Sequence, residues 1–119
     1  MTRLAIEAAL KELNTLVMEG KLIDAFDKFY HEEVAMQENE QAPTVSKETN
    51  RRRELEFLDN ITEFRRAAVK GMAIGDDISY VTWTYDYTHK EWGVRQYTQV
   101  SVQQWKDGKI IHEQFIYLN

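Results

Sequence analysis

The chain reads as an α+β domain, and three observations carry that assignment. Apolar residues recur at helical spacing up to about position 61, and from there the period changes to alternation over four long segments. Two turn signals, Gly75-Asp76-Asp77 and Lys106-Asp107-Gly108-Lys109, separate those segments at hairpin spacing, and the second carries the Asp-Gly pair that favours a tight connection. Helices gathered ahead of an antiparallel meander pack onto one face of the sheet, and long twisted strands curl it.

The elements follow in order. Residues 2–19 form a helix with Thr2 as N-cap, Gly20 just past its end, and a stripe of Ile6, Ala9, Leu10, Leu13, Leu16 and Val17. A shorter helix over about 21–31 gathers Leu22, Phe26, Phe29 and Tyr30 on one side, and the tight junction makes the two a packed pair. A strand at 33–38 leads into a loop around Pro43. Ser46 then starts a third helix, which runs to about Leu58 with Leu55, Leu58 and Ile61 toward the core. The alternating segments 63–75, 77–89, 94–106 and 109–118 are the strands of the meander.

Composition narrows the function. At 119 residues the chain is read as one domain, 1–119, large enough for a core and too small for two. A net charge of -5 argues against a general nucleic-acid role, which needs clustered positive charge. Arg51-Arg52-Arg53 lies in a helix that also carries Glu48, Glu54 and Glu56, and reads as a solvated face. With no cysteine there is no disulfide, thiolate nucleophile or cysteine metal site. No apolar run approaches a membrane span and the N-terminus has no signal-peptide core, so a cytoplasmic location is expected.

Glu38 is the first candidate site residue. Val34, Met36 and Glu38 share one face of the first strand, so a carboxylate faces whatever the apolar residues cover. Such a setting raises a carboxyl pKa and suits proton transfer. On the last strand Glu113 alternates in phase with Phe115 and Tyr117, which offers a second carboxylate beside aromatic rings. Two carboxylates in unequal surroundings can divide the roles of acid and base. Either glutamate could instead form a surface ion pair.

Aromatic residues make the third constellation. Val81, Trp83, Tyr85 and Tyr87 share one face of the second long strand, with Tyr97 and Trp105 on the same face of its neighbour. Rings on a concave surface suit a flat apolar ligand, with tyrosine hydroxyls to orient it, although core packing or a dimer surface uses the same residues. The opposite face carries Thr82, Thr84, Asp86, Thr98 and Gln104, which suit solvent or a semi-polar interface. His31 reads as a helix-end residue, His89 as a strand-end residue near Asp86 within reach of a pocket mouth, and His112 as outward-facing. No His-x-His or His-x-x-x-His pair occurs, so no metal is expected, and no phosphate loop, nucleophile elbow or dinucleotide fingerprint implies a cofactor.

The element order resembles the NTF2-like superfamily, especially its SnoaL-like and ketosteroid-isomerase-like members. The residues that carry this are Leu16-Val17-Met18-Glu19-Gly20-Lys21, Phe29-Tyr30-His31-Glu32-Glu33-Val34, Val45-Ser46-Lys47-Glu48 (where relatives often have glycine at the serine) and Asp107-Gly108-Lys109-Ile110-Ile111. The resemblance implies a cystatin-like cone, three N-terminal helices packed on a curved, mainly antiparallel sheet with a pocket between them. It places Glu38 at the general-base position of the isomerases. It places Leu13 where they have an acidic tyrosine and Ser101 where they have an unusually basic aspartic acid. Two of three positions depart, so steroid isomerisation by that mechanism is not expected. Pairing through the outer sheet face, a homodimer, is also implied.

The expected function is binding of a small apolar or aromatic molecule, with acid/base isomerase, cyclase or dehydratase chemistry on a carbonyl-containing ligand. Glu38 and Glu113 would be catalytic, and Trp83, Tyr85, Tyr97, Ser101, Phe115 and Tyr117 would bind the ligand. Whether the protein is an enzyme stays open, because a non-catalytic binding or dimerisation module would keep the same cone.

Overall fold

Chain-local chemistry fixes where each helix starts. The computed structural model describes residues 1–118. Helix α1 spans Arg3–Met18, and the Thr2 hydroxyl accepts the Ala5 N–H at 3.0 Å as its N-cap. Gly20, at φ +78°, turns the chain into α2, Leu22–Phe29. That helix ends sooner than its apolar pattern predicts, because Tyr30 is already extended and opens β1, Tyr30–Glu38. His31 therefore lies in a strand rather than at a helix end, and its Nδ1 accepts the Glu33 N–H. A two-residue strand β2, Thr44–Val45, folds back on β1 before α3, Lys47–Asp59. Ser46 caps α3 by accepting the Thr49 N–H at 3.2 Å, with its own backbone at φ +88°.

The four predicted meander strands are β3 Ile61–Ile74, β4 Ile78–His89, β5 Gly93–Lys106 and β6 Lys109–Tyr117. Asp107 and Gly108 both take positive φ, 53° and 81°, as the tight β5–β6 turn requires. The meander is part of a larger sheet of six strands in the order β2-β1-β6-β5-β4-β3. β1 runs parallel to β6, with Met36 opposite Glu113 and Glu38 opposite Phe115, and every other pairing is antiparallel. Three register shifts in the edge strand β3 bend it, and the open sheet is curved.

The core lies between α1, α2 and the concave face: Ile6, Leu10 and Leu13 of α1 and Ala25, Phe26 and Phe29 of α2 meet Val34, Met36, Val81, Trp83, Trp105 and Ile110. α3 behaves differently. Leu55 points to solvent, and the inward face at Asn50, Glu54, Phe57 and Leu58 is half polar. Asn50, 2 % exposed, holds this helix by donating from Nδ2 to the carbonyls of Thr44 and Ser46 at 2.9 Å and of Val34 at 3.2 Å. Among the described residues no helix is long and apolar enough to cross a membrane.

Candidate functional site

Because the first helix pair fills only part of the concave face, the rest of the sheet and α3 enclose a cavity of about 1070 Å³. Strand alternation decides what faces it. From β1 come Tyr30, Met36 and Glu38; from β4, Trp83, Tyr85, Tyr87 and His89; from β5, Arg95, Tyr97, Gln99 and Ser101; from β6, Glu113, Phe115 and Tyr117. α3 adds Arg53, Glu54, Phe57 and Leu58. All eight residues singled out from the sequence thus border one space.

Their situations differ. Trp83 is 2 % exposed and stacks on Tyr85 with ring centroids 5.5 Å apart, so it belongs as much to the core as to the cavity floor. From Tyr85 the rings continue to Tyr97 at 5.7 Å and on to Tyr117 at 5.6 Å. The Tyr87 and Tyr97 hydroxyls are 2.9 Å apart, and burial together with this contact pushes the Tyr97 phenol well above its ordinary pKa. Ser101 is buried and accepts the Gln99 Nε2–H at 3.3 Å. His89 stacks on Trp92 at 3.7 Å under Phe57, with Nδ1 accepting the Glu91 N–H at 3.1 Å. Asp86 is not its neighbour: an odd separation puts it on the outer face, where it pairs with Arg65 at 2.8 Å.

Of the glutamates that border the cavity, Glu38, Glu54 and Glu113 act on one another. Glu113 is 2 % exposed; Tyr30 donates its hydroxyl to Oε1 and Gln103 donates Nε2–H to Oε2 at 2.8 Å. Burial dominates, the two hydrogen bonds oppose it, the Glu38 charge adds to it, and the carboxyl is pushed up to about 7. Glu54 is also pushed up to about 7, by burial first and then by Glu113 and Glu38, with Arg53 opposing. Tyr117 is pushed up to about 12 by burial and by the Glu38 carboxylate beside it. The two carboxyls, Glu113 and Glu54, are thereby set to exchange protons near neutral pH.

The sequence reading missed Glu54, Phe57, Tyr30 and Gln103. Glu54 and Phe57 lie four and seven residues after Asn50, an inward stripe at helical spacing hidden by the charged residues around it. Gln103 shares the inward alternation of Ser101 and Trp105, and sits opposite Glu113 in the ladder. Among the described residues no group of three or more His, Cys, Asp or Glu side chains is arranged to hold a metal ion.

Known proteins place the chain in context. A crystal structure from Mesorhizobium loti, of a protein provisionally described as a SnoaL-like polyketide cyclase, superposes with a TM-score of 0.85 at 26% identity, covering 98% of this chain and 100% of that one. An NTF2-like protein of unknown function from Burkholderia pseudomallei gives 0.81 at 10% identity, over 99% of this chain and 92% of that one. A protein with a cystatin-like fold from Xanthomonas campestris gives 0.80 at 11%, over 97% and 91%. No curated protein matches. The model of the SnoaL-like domain matches residues 2–117, and the chain belongs to that family, within the NTF2-like superfamily whose cone it shares.

Proposed function

We propose that the cavity binds a small apolar or aromatic molecule bearing a carbonyl, and that the protein performs acid/base chemistry on it: isomerisation, cyclisation or dehydration. The observation that carries this is the unequal pair of carboxylates. Glu113 is buried, hydrogen-bonded and poised near neutrality, whereas Glu38 lies at the end of β1, two residues along from the Met36 that faces Glu113. Glu113 serves as the acid and Glu38 as the base, while Tyr85, Tyr97, Phe115 and Tyr117 hold the ligand's flat faces, with Trp83 as floor and the Ser101 hydroxyl as a polar contact. The polyketide-cyclase description of the Mesorhizobium loti relative supports a ligand of this kind. Outward-facing Tyr80, Val94 and Ile116, all exposed, favour pairing of two copies through the outer sheet face, which light scattering tests.

The decisive experiment is a thermal-shift panel of aromatic, steroidal and polyketide-like compounds, followed by turnover of each compound that binds. A ligand at a hundredfold over its Kd adds about 2.7 kcal/mol. Turnover lost in Glu38→Gln and Glu113→Gln, with affinity kept within about tenfold, supports the enzyme. Binding without turnover in the unmodified protein makes it a carrier or sensor, the reading that Leu13 and Ser101 favour. No shift with any compound overturns the ligand site.

A further inference from the structure

Five buried side chains form one hydrogen-bonded chain beneath the cavity. Trp105 Nε1, which can only donate, gives its hydrogen to Ser79 Oγ at 2.9 Å. Ser79 donates its own to Gln103 Oε1 at 2.7 Å. Gln103 therefore turns Nε2 to Glu113 Oε2 at 2.8 Å, and Tyr30 meets the other carboxylate oxygen. Ser79 is wholly buried, and Gln103, Trp105, Glu113 and Tyr30 are nearly so, so these bonds form in a low-dielectric setting that strengthens them.

The chain has a fixed direction. If the Gln103 amide flipped, Ser79 would face two N–H donors with no acceptor for its own hydrogen. Gln103 Oε1 would then meet Glu113 Oε2, acceptor against acceptor, in a site where each unmade bond is costly. We propose that Trp105, Ser79 and Gln103 are positioning residues: they hold Glu113 Oε2 as a permanent acceptor, so that any proton on Glu113 resides on Oε1, and the Tyr30 hydroxyl alternates between donating to Glu113 and donating into the cavity.

The consequence is a concerted relay between two hydrogen-bonding states. When Glu113 is ionised, Tyr30 donates to it. When Glu113 is protonated, Oε1–H donates to the Tyr30 oxygen and the phenol hydrogen is free to point at a ligand oxygen. Transfer breaks the Tyr30 O–H bond and forms an O–H bond on the ligand as the proton of Glu113 Oε1 moves to the Tyr30 oxygen, so Tyr30 ends neutral and Glu113 ends as the carboxylate. Burial, reinforced by the Glu113 charge, disfavours a phenolate there. The titratable groups acting on the pair are Glu38 from β1, Glu54 from α3 and Tyr85 from β4. The placement of the proton stands on the hydrogen bonds alone; its use on a ligand rests on Glu113 being the cavity acid.

The test is a carboxyl ¹³C NMR titration of glutamate-labelled protein without ligand, comparing the unmodified chain with Ser79→Ala and Trp105→Phe. Ser79→Ala removes the group that orients Gln103, lets Glu113 hold its proton on either oxygen, and raises the Glu113 midpoint by about one pH unit, a tenfold change in proton affinity. Trp105→Phe keeps the ring packing, removes the fixed donor and shifts the midpoint the same way by a smaller amount. Midpoints within about 0.2 of the unmodified chain in both folded variants would show that the chain only packs, and overturn the proposal. Should Ser79→Ala fail to fold, Trp105→Phe decides. The titration uses no ligand, so an absence of ligand or turnover, which would sink the functional reading, leaves its result intact.

Discussion

Asn50 and Glu54 stand one helical turn apart on the same face of α3: the first anchors the helix to β1 and β2 through the carbonyls of Val34 and Thr44, and the second borders the cavity. The helix is too polar to be held by apolar burial alone, so the anchor sets where the carboxylate sits.

Asn50→Ala is expected to destabilise the protein by about 2–3 kcal/mol in urea denaturation, because the Thr44 carbonyl loses this donor, the Val34 carbonyl keeps only the Ser46 N–H, and a buried side chain is deleted. The Glu54 midpoint should fall toward the ordinary carboxyl range as α3 loosens and water enters. An unchanged denaturation midpoint would mean that the helix is held by something else.

Ser46 at φ +88° pays a backbone cost that its hydroxyl partly offsets by capping α3. Ser46→Gly relieves the strain and loses only a few tenths of a kcal/mol of capping, for a net gain of about 1 kcal/mol. Ser46→Ala keeps the strain, loses the cap and costs about 1 kcal/mol. Equal and opposite shifts in thermal midpoint are the expected signature, and a stabilising alanine would contradict it.

For Glu113 the folded-state value, about 7, lies above its ordinary 4.5. Below the lower value the carboxyl is protonated in both states and costs nothing. Between the two, the unfolded chain ionises and the folded protein does not, so this group's contribution to stability falls as pH rises, and it levels off above about 7. Glu113→Gln mimics the protonated form, with its carbonyl accepting from Gln103 and its amide turned to Tyr30. Relative to the unmodified protein it should gain about 2–3 kcal/mol at pH 8 and nothing at pH 4. A gain that does not depend on pH would show that Glu113 is not the titrating group.

Glu38→Gln removes a negative charge that raises both Glu113 and Glu54. Both midpoints should drop toward the ordinary range in the labelled-glutamate spectrum, and the Tyr117 phenol, now about 12, should titrate earlier in ultraviolet absorbance. Unmoved carboxyl midpoints would mean that Glu38 does not act on its neighbours.

Much of this architecture is legible in the residues, and what was not legible has physical reasons. Alternation assigns Trp83, Tyr85, Tyr97, Phe115 and Tyr117 to one face, and the caps Thr2 and Ser46 mark where α1 and α3 begin. The parallel pairing of β1 with β6 is invisible to local period, since it joins segments some 80 positions apart, as Tyr30 and Glu113 show. Leu55 looks like a core residue by type, yet α3 turns it outward because Asn50 dictates the helix rotation. Gln103 shares the inward alternation of Ser101 and Trp105, but its importance appears only once Glu113 stands opposite it.

The place of β6 in the sheet governs when the site can exist. This strand is the last of the six to be synthesised, yet it sits in the interior between β1 and β5. A nascent chain that has already made α1 to β5 carries Tyr30 and Gln103 with nothing between them, and an open strand edge on each side. Those edges invite pairing with other chains until β6 arrives, and the long-range closure makes that step slow. The acid at the heart of the cavity is thus delivered by the segment that also seals the sheet, so a chain released before β6 would lack the carboxylate and the closed sheet together.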